Sequence, residues 1–287
     1  MTLPVRVRAP ATTANLGSGF DCAAAALELW SELEVTAGEG VEVEGEGAEE
    51  LARDGTHLGI RAFGLLSSPT GKHFHFTNRI PLARGLGSSA ATIALGVVAA
   101  ALVEGRQADP EDLLARALEL ENHADNLAAA LAGGVCLTWS SSGKQRIARV
   151  ARSLPLVPIA LVPEERVETE EARAALPATV PHADAAFNAG RAALLGAGLA
   201  AGDADLLAEG FHDRLHEPYR AANTPLLAAV RAHLPAGAAG ATVSGSGPTV
   251  VVWVAESHAS ACASELERNF PSTRVLSLTV AETGACS

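Results

Sequence analysis

Twelve residues, Pro81-Leu82-Ala83-Arg84-Gly85-Leu86-Gly87-Ser88-Ser89-Ala90-Ala91-Thr92, constrain this chain more than any other stretch. Gly85 and Gly87 flank Leu86, two serines follow, and an apolar run continues to Val103. Glycine reaches φ > 0 and lets backbone approach closely, and Ser88 or Ser89 is suited to cap the helix that the apolar run predicts. A glycine–serine turn feeding a helix N-terminus leaves several N–H groups unpaired at the positive end of the helix dipole. That is an anion cradle, and the anion it suits is a nucleotide phosphate.

The bulk of the chain is compatible with a nucleotide but not with a nucleic acid. Net charge is −12 with no block of lysine or arginine, so nothing is available to track a phosphodiester backbone. A length of 287 residues, 48% apolar and 19% charged, predicts a folded chain of one large or two modest domains. Cys22, Cys136, Cys262 and Cys286 lie far apart with no CxxC pair, which argues against zinc and for reduced thiols in a cytoplasmic protein. The first ten residues lack the apolar core of a signal peptide, and Ala90–Val103 is too short to span a bilayer, so a soluble chain without a membrane partner is expected.

Taken in order, Val5–Arg8 alternates as a strand ending at Ala9 and Pro10, and Asn15–Asp21 is a glycine loop presenting polar groups. Leu27–Val35 and Val41–Glu44 alternate as half-buried strands, with their glutamates on a solvated face. A helix over Gly55–Leu66 and a strand over His73–Thr77 lead into the cradle. Asp109 and Pro110 open a helix reaching about Asn122, and an alanine-rich helix after Asn126 stops at Gly133 and Gly134. Val135–Trp139 is a strand, and Ser140–Lys144 is the most linker-like stretch, with a domain boundary just after it. Residues 1–150 and 151–287 are the expected domains.

The second half reads as a strand over Leu156–Val162 and a helix over Glu164–Leu176, on which Thr169 and Arg173 share a face. Helices over 182–200 and 203–217 follow, the latter stopped by Pro218. Another opens at Thr224 and Pro225, and Gly240–Thr249 separates two strands. A helix over Ser257–Asn269 and a strand over Arg274–Val280 close the chain.

Known phosphate loops narrow the reading. The GxxxxGK[ST] loop needs a lysine after its glycines, and none is present. Gly85, Gly87 and Ala90 match GxGxxG/A formally, but the pattern does not open directly from a strand, and Glu104 ends the same helix rather than a second strand. The stretch Pro81–Ala91 instead resembles the ATP-phosphate motif of the GHMP kinases, a superfamily that includes galactokinase, mevalonate kinase and homoserine kinase. Two further motifs stand in the order of that superfamily, the N-terminal loop Pro10–Asp21 and the C-terminal glycine loop Ser244–Pro248. Within the superfamily, Asn15–Asp21, His123–Asn126 and Leu215–Arg220 look most like the homoserine kinases. Ser18 stands where those kinases usually have proline, and Ala124 departs in the same way; the polar side chains of the motifs are all retained.

The resemblance implies an α+β, two-domain GHMP kinase fold, with an N-terminal ribosomal-protein-S5-like domain containing a left-handed βαβ unit and a C-terminal ferredoxin-like domain. It implies transfer of the ATP γ-phosphate to the hydroxyl of L-homoserine, in threonine biosynthesis, by a homodimer. By the same resemblance Pro81–Ala91 cradles ATP, and Ser88 or Ser89 with Glu121 ligates Mg²⁺, Glu119 being the rival carboxylate. Asn15 and Asp21 match positions that hold the substrate hydroxyl and amino group. Arg173 and Arg220, with Thr169 nearby, match the carboxylate clamp that a planar guanidinium suits. Adenine is expected near Gly55–Phe63, where His57 takes a place often filled by asparagine.

Asn126 stands where related kinases place an aspartate base, and an amide cannot accept a proton. The resemblance therefore implies orientation of the hydroxyl by Asn126, with the proton leaving to phosphate oxygens or water. Asp125 reads as a helix cap and His123 as loop packing. A mevalonate- or shikimate-type kinase and a non-catalytic ATP sensor are the alternatives.

Overall fold

The computed structural model describes residues 3–167 and 169–287, with the side chain of Thr169 also outside the described residues. Alternation builds β1 (Val5–Ala14) and β2 (Ala23–Ala37), which pair antiparallel from Val5 opposite Val35 to Ala14 opposite Ala24. Pro10 does not end β1 as expected. Lacking an N–H, it is accommodated by a register shift between Pro10 and Ala11, and the strand runs on to the glycine loop.

β3 (Gly40–Gly45) and β4 (Lys72–Asn78) lie parallel, joined through α1 (Leu58–Gly64), so β4 separates β3 from β2. The long β2 shares its other edge between β4 and β5 (Val135–Ser141). Beneath this sheet runs α2 (Ser88–Val103), with buried residues on every side, so it is the spine of the core. Asp109 caps α3 (Pro110–Ala117) by accepting the N–H groups of Glu111 and Asp112. The chain then turns at Glu121–His123 into α4 (Ala124–Ala132).

Ser140–Lys144 is not a linker. Ser142 and Gly143 have φ of 51° and 74°, which makes a two-residue hairpin turn from β5 into β6 (Lys144–Ala151), an edge strand that sequence patterning missed.

The chain leaves the first sheet after β6 and enters the second at β7 (Leu156–Pro163). There follow α5 (Thr169–Ala174), α6 (His182–Ala201), α7 (Ala204–Gly210), α8 (Glu217–Arg220) and α9 (Pro225–Ala232). β8 (Ala238–Val243), β9 (Val250–Ala255), α10 (Ala259–Asn269) and β10 (Thr273–Ser277) complete it. The sheet order β10-β7-β9-β8, antiparallel throughout, is the ferredoxin-like arrangement. α5 is shorter than the helix expected over Glu164–Leu176. The helix expected to reach residue 217 stops at Gly210, and Pro218 opens α8 instead of ending a helix. The cause is the Asp213 carboxylate, which accepts the N–H groups of Leu215, His216 and Glu217 and gathers the chain into a new helix start.

We propose that residues 1–150 and 151–287 act as the two domains, the closing segment crossing back where Val280 bridges Leu27 and Cys286 bridges Arg8. Among the described residues no helix is long and apolar enough to cross a membrane.

Candidate active site

The cap of α2 is a glycine. Gly87 takes the N-cap position at φ 68°, so Ser88 and Ser89 lie inside the first helical turn rather than before it. The serine cap expected from sequence is thereby corrected: a left-handed residue is required at this corner, and only glycine adopts it cheaply. A Cβ on Gly87 would also overlap the hydroxyl of Thr12. Neither serine hydroxyl has a protein partner among the described residues. Both line a cavity of about 440 Å³, together with the unpaired N–H end of α2.

This cavity gathers Asn15, Asp21, Gly85 and Glu121 from loops and Asn126, Arg173 and Arg220 from α4, α5 and α8. Other members of the predicted cradle sit behind it. Leu86 and Ala91 are core residues, and Arg84 donates to the carbonyls of Leu82, Pro163 and Glu164, tying the loop to the end of β7. The Ser244–Pro248 loop braces the cradle from the other side. Ser244 Oγ donates to the Gly85 carbonyl at 2.6 Å, and the Gly245 carbonyl accepts from Asn15 Nδ2 at 2.8 Å and from Arg220 Nη1 at 3.1 Å.

The cationic wall is built on α8. His216 is fully buried, and burial holds its pKa below the ordinary histidine value, so the ring is neutral at pH 7. Its Nε2 faces the Gly17 carbonyl at 3.0 Å and its ring stacks on Phe20 at 4.9 Å. Arg220 lies 5.4 Å from the Phe20 ring centre and donates to the Ala172 carbonyl. Burial first, and the neighbouring Arg173 second, lower its pKa: two guanidiniums share a wall that an anion would relieve. No carboxylate within hydrogen-bonding reach neutralises Arg220 among the described residues. Arg173 is instead paired with Asp21 at 2.6 Å, while Glu217 pairs with Arg231. Thr169 opens α5, but its side chain lies outside the described residues.

The third wall is the start of α4. Glu121 accepts from His123 Nδ1 at 2.9 Å, and that bond holds its carboxyl below the usual glutamate range, hence ionised. Glu119 faces away and pairs with Arg116. Asp125 is not the cap expected from sequence: the cap position is His123, and Asp125 lies in the first turn, where its Oδ1 accepts the Asn126 N–H at 2.7 Å. Its Oδ2 has no protein partner among the described residues, and burial pushes its pKa up to about 6. Asn126 Oδ1 accepts from Thr12 Oγ1 at 2.6 Å. Thr12, Phe20 and His216 are thus parts of the site to which the motifs that contain them assign no role, and Asp125 belongs to it as a cavity residue rather than a cap.

Among the described residues no cluster of three His, Cys, Asp or Glu side chains could hold a metal. The donors present are one ionised carboxylate and two hydroxyls, which suits Mg²⁺ completing its shell with phosphate oxygens and water. A second cavity of about 380 Å³ adjoins the first through Ala83, Ser88 and Ser89, and is lined by Leu51, His57, Leu58 and Leu82. His57 accepts the Gly59 N–H through Nδ1, packs on Phe76 at 4.2 Å, and is kept neutral by burial.

Comparison with known proteins is consistent along the chain. Residues 48–134 match the model of the GHMP kinases N terminal domain, and residues 185–272 match GHMP kinases C terminal. A homoserine kinase of Streptomyces coelicolor is 46% identical over 86% of this chain and 83% of its own length. One from Nostoc punctiforme is 38% identical over 90% of this chain and 88% of its own. The crystal structure of homoserine kinase from Cytophaga hutchinsonii superposes with a TM-score of 0.89 at 28% identity, covering 100% of this chain and 98% of that one.

Proposed function

The chain belongs to the GHMP kinase family, and we propose that it is a homoserine kinase working through the residues of the first cavity. The observation that carries the reading is Arg220, a buried guanidinium without a carboxylate partner, in one cavity with the glycine–serine cradle. An amino acid whose carboxylate meets Arg220 and Arg173 would present its side chain toward the cradle. Its ammonium finds Asp21 and Asp125, which a bare alcohol such as mevalonate would leave unused.

The α2 N-terminus and Gly85–Ala90 bind the phosphates of ATP, and the second cavity takes the nucleoside. Glu121 with Ser88 or Ser89 would hold Mg²⁺, which when bound offsets charge on the phosphates. The hydroxyl oxygen bonds the γ-phosphorus as the β–γ bridging P–O bond breaks, and the proton passes to phosphate oxygens or water. Positioning and charge compensation dominate such transfers, so no dedicated base is needed. A cytoplasmic homodimer is part of the same proposal, checked by light scattering. An ATP-consumption assay over homoserine, serine, threonine, mevalonate and shikimate tests the activity. Turnover should require homoserine; turnover with mevalonate alone, or ATP binding without turnover on any acceptor, removes this reading.

Asp125 supports a second reading, because its Oδ2 is free and its pKa is raised to about 6. Below that pH it is protonated, whichever role it has. As an ammonium anchor it makes kcat/KM for homoserine fall below about pH 6 while kcat at saturation persists. As a base it makes kcat itself fall at acid pH, over a window set by its pKa in the substrate complex. We expect the former, and a limb in kcat that disappears in Asp125→Asn would establish the base.

A further inference from the structure

We infer that Thr12 is a positioning residue that fixes which way the Asn126 amide faces, so that the amide donates to the reacting oxygens. The inference rests on the kinase reading above but concerns a residue outside the motif roles. Thr12 lies in β1, is fully buried, and its Oγ1 donates to Asn126 Oδ1 at 2.6 Å. Nδ2 of the same amide points toward Asp125 Oδ1 at 3.4 Å. A flipped amide would set its oxygen against that carboxylate and leave the threonine proton facing an NH₂ group. Thr12 and Asp125 therefore impose one polarity from opposite sides. The carbonyl turns into the protein, and an N–H remains for the cavity.

The same threonine is tied to the phosphate cradle, since its N–H donates to the Leu86 carbonyl at 3.0 Å. Only the missing Cβ of Gly87 leaves its hydroxyl room to reach Asn126. One strand residue thus sets the cradle and the amide relative to each other. In the reaction, the free Asn126 N–H meets the acceptor hydroxyl oxygen or an oxygen of the transferring phosphoryl group. It directs the hydroxyl proton away from itself, toward the phosphate. Without the Thr12 hydroxyl the amide oxygen loses its buried donor and turns out toward the cavity, so the productive orientation becomes the minor state.

The test is a double-mutant cycle on the full chain, with Thr12→Val, Thr12→Ser, Asn126→Ala and the Thr12→Val/Asn126→Ala pair. Thr13→Val is the control, because the buried Thr13 hydroxyl has no partner among the described residues. Thr12→Val should lower kcat by about ten- to a hundredfold, the range for stripping one partner from a buried polar group. The KM for ATP and the melting temperature should stay near wild type. Thr12→Ser should recover to within about threefold, and Thr12→Val added to Asn126→Ala should cost less than about twofold more. Thr13→Val should be silent. The inference is overturned if Thr12→Val costs its full factor without Asn126, if serine does no better than valine, or if only the KM for ATP moves. Wild-type turnover with homoserine is a separate arm. Should that arm fail while another acceptor is used, the kinase reading of the substrate falls and the cycle is decided on that acceptor.

Discussion

Gly85→Ala should lower ATP-dependent turnover by at least about a hundredfold in a chain that still folds, because displacing a positioned phosphate by about an ångström is enough for such a loss. Gly85 stands at φ 78°, where a side chain costs about 1–2 kcal/mol. The larger effect is the neighbour. A Cβ there would overlap the Ser244 carbonyl and come within 2.8 Å of the Gly247 carbonyl. These are backbone atoms of the opposing glycine loop, and they cannot swing aside as a side chain would. The loops must separate, breaking the bond from Ser244 Oγ to the Gly85 carbonyl. They would carry the Gly245 carbonyl with them, and so disturb Asn15 and Arg220 as well. The fall should therefore appear in kcat and in ATP affinity together. Gly190→Ala is the contrast: it lies on α6 with open space at its Cβ, and should keep full activity and gain up to about 1 kcal/mol of stability. Circular dichroism and a melting curve check the fold, and wild-type kcat with wild-type ATP affinity in Gly85→Ala would refute the backbone argument.

What the sequence makes legible is what is decided locally. The cradle is one such case: two glycine corners and a largely apolar helix are written in consecutive residues. Asp109 and Pro110 likewise announce α3. The errors arise where a distant partner decides. Pro10 looks like a strand end, and only pairing with β2 shows that a shifted register carries the strand past it, which is why Thr12 was hidden in a loop. Ser140–Lys144 has linker composition, yet Ser142 and Gly143 need only suitable φ angles to form a hairpin once β5 offers an edge. Asp125 has the residue type of a cap, but the chain geometry at His123 puts it two residues too late, buried at the cavity wall. Glu119 and Glu121 are equivalent by motif distance, and the turn after α3 separates them onto solvent and cavity. The Asp21–Arg173 pair joins residues 152 apart, a distance no local pattern spans.

Arg220→Ala should separate the two substrates. In the structure Arg220 is 2% exposed, and the protein contacts of its guanidinium are carbonyls, a neutral histidine and the face of Phe20. None of these supplies the opposite charge that a buried cation needs. If a substrate carboxylate supplies it, removing Arg220 leaves that carboxylate in a dry site beside Asp21 and Asp125. The expected cost is about 2–5 kcal/mol, or roughly thirtyfold to several-thousandfold in kcat/KM for homoserine. In the proposed arrangement ATP binds elsewhere, on α2 and in the second cavity, so its KM should change little. Arg220→Lys should recover only part of the loss, because an ammonium cannot reproduce the planar fork. Arg173→Ala should cost less than Arg220→Ala, since Arg173 is more exposed and already paired with Asp21. Arg220 also holds the Gly245 carbonyl, so a variant that merely loosened the glycine loop would raise the KM for both substrates together. Kinetics of both substrates against both arginine variants therefore distinguish recognition of a carboxylate from support of a loop, and a parallel rise in the two KM values would strip Arg220 of its role in naming the acceptor.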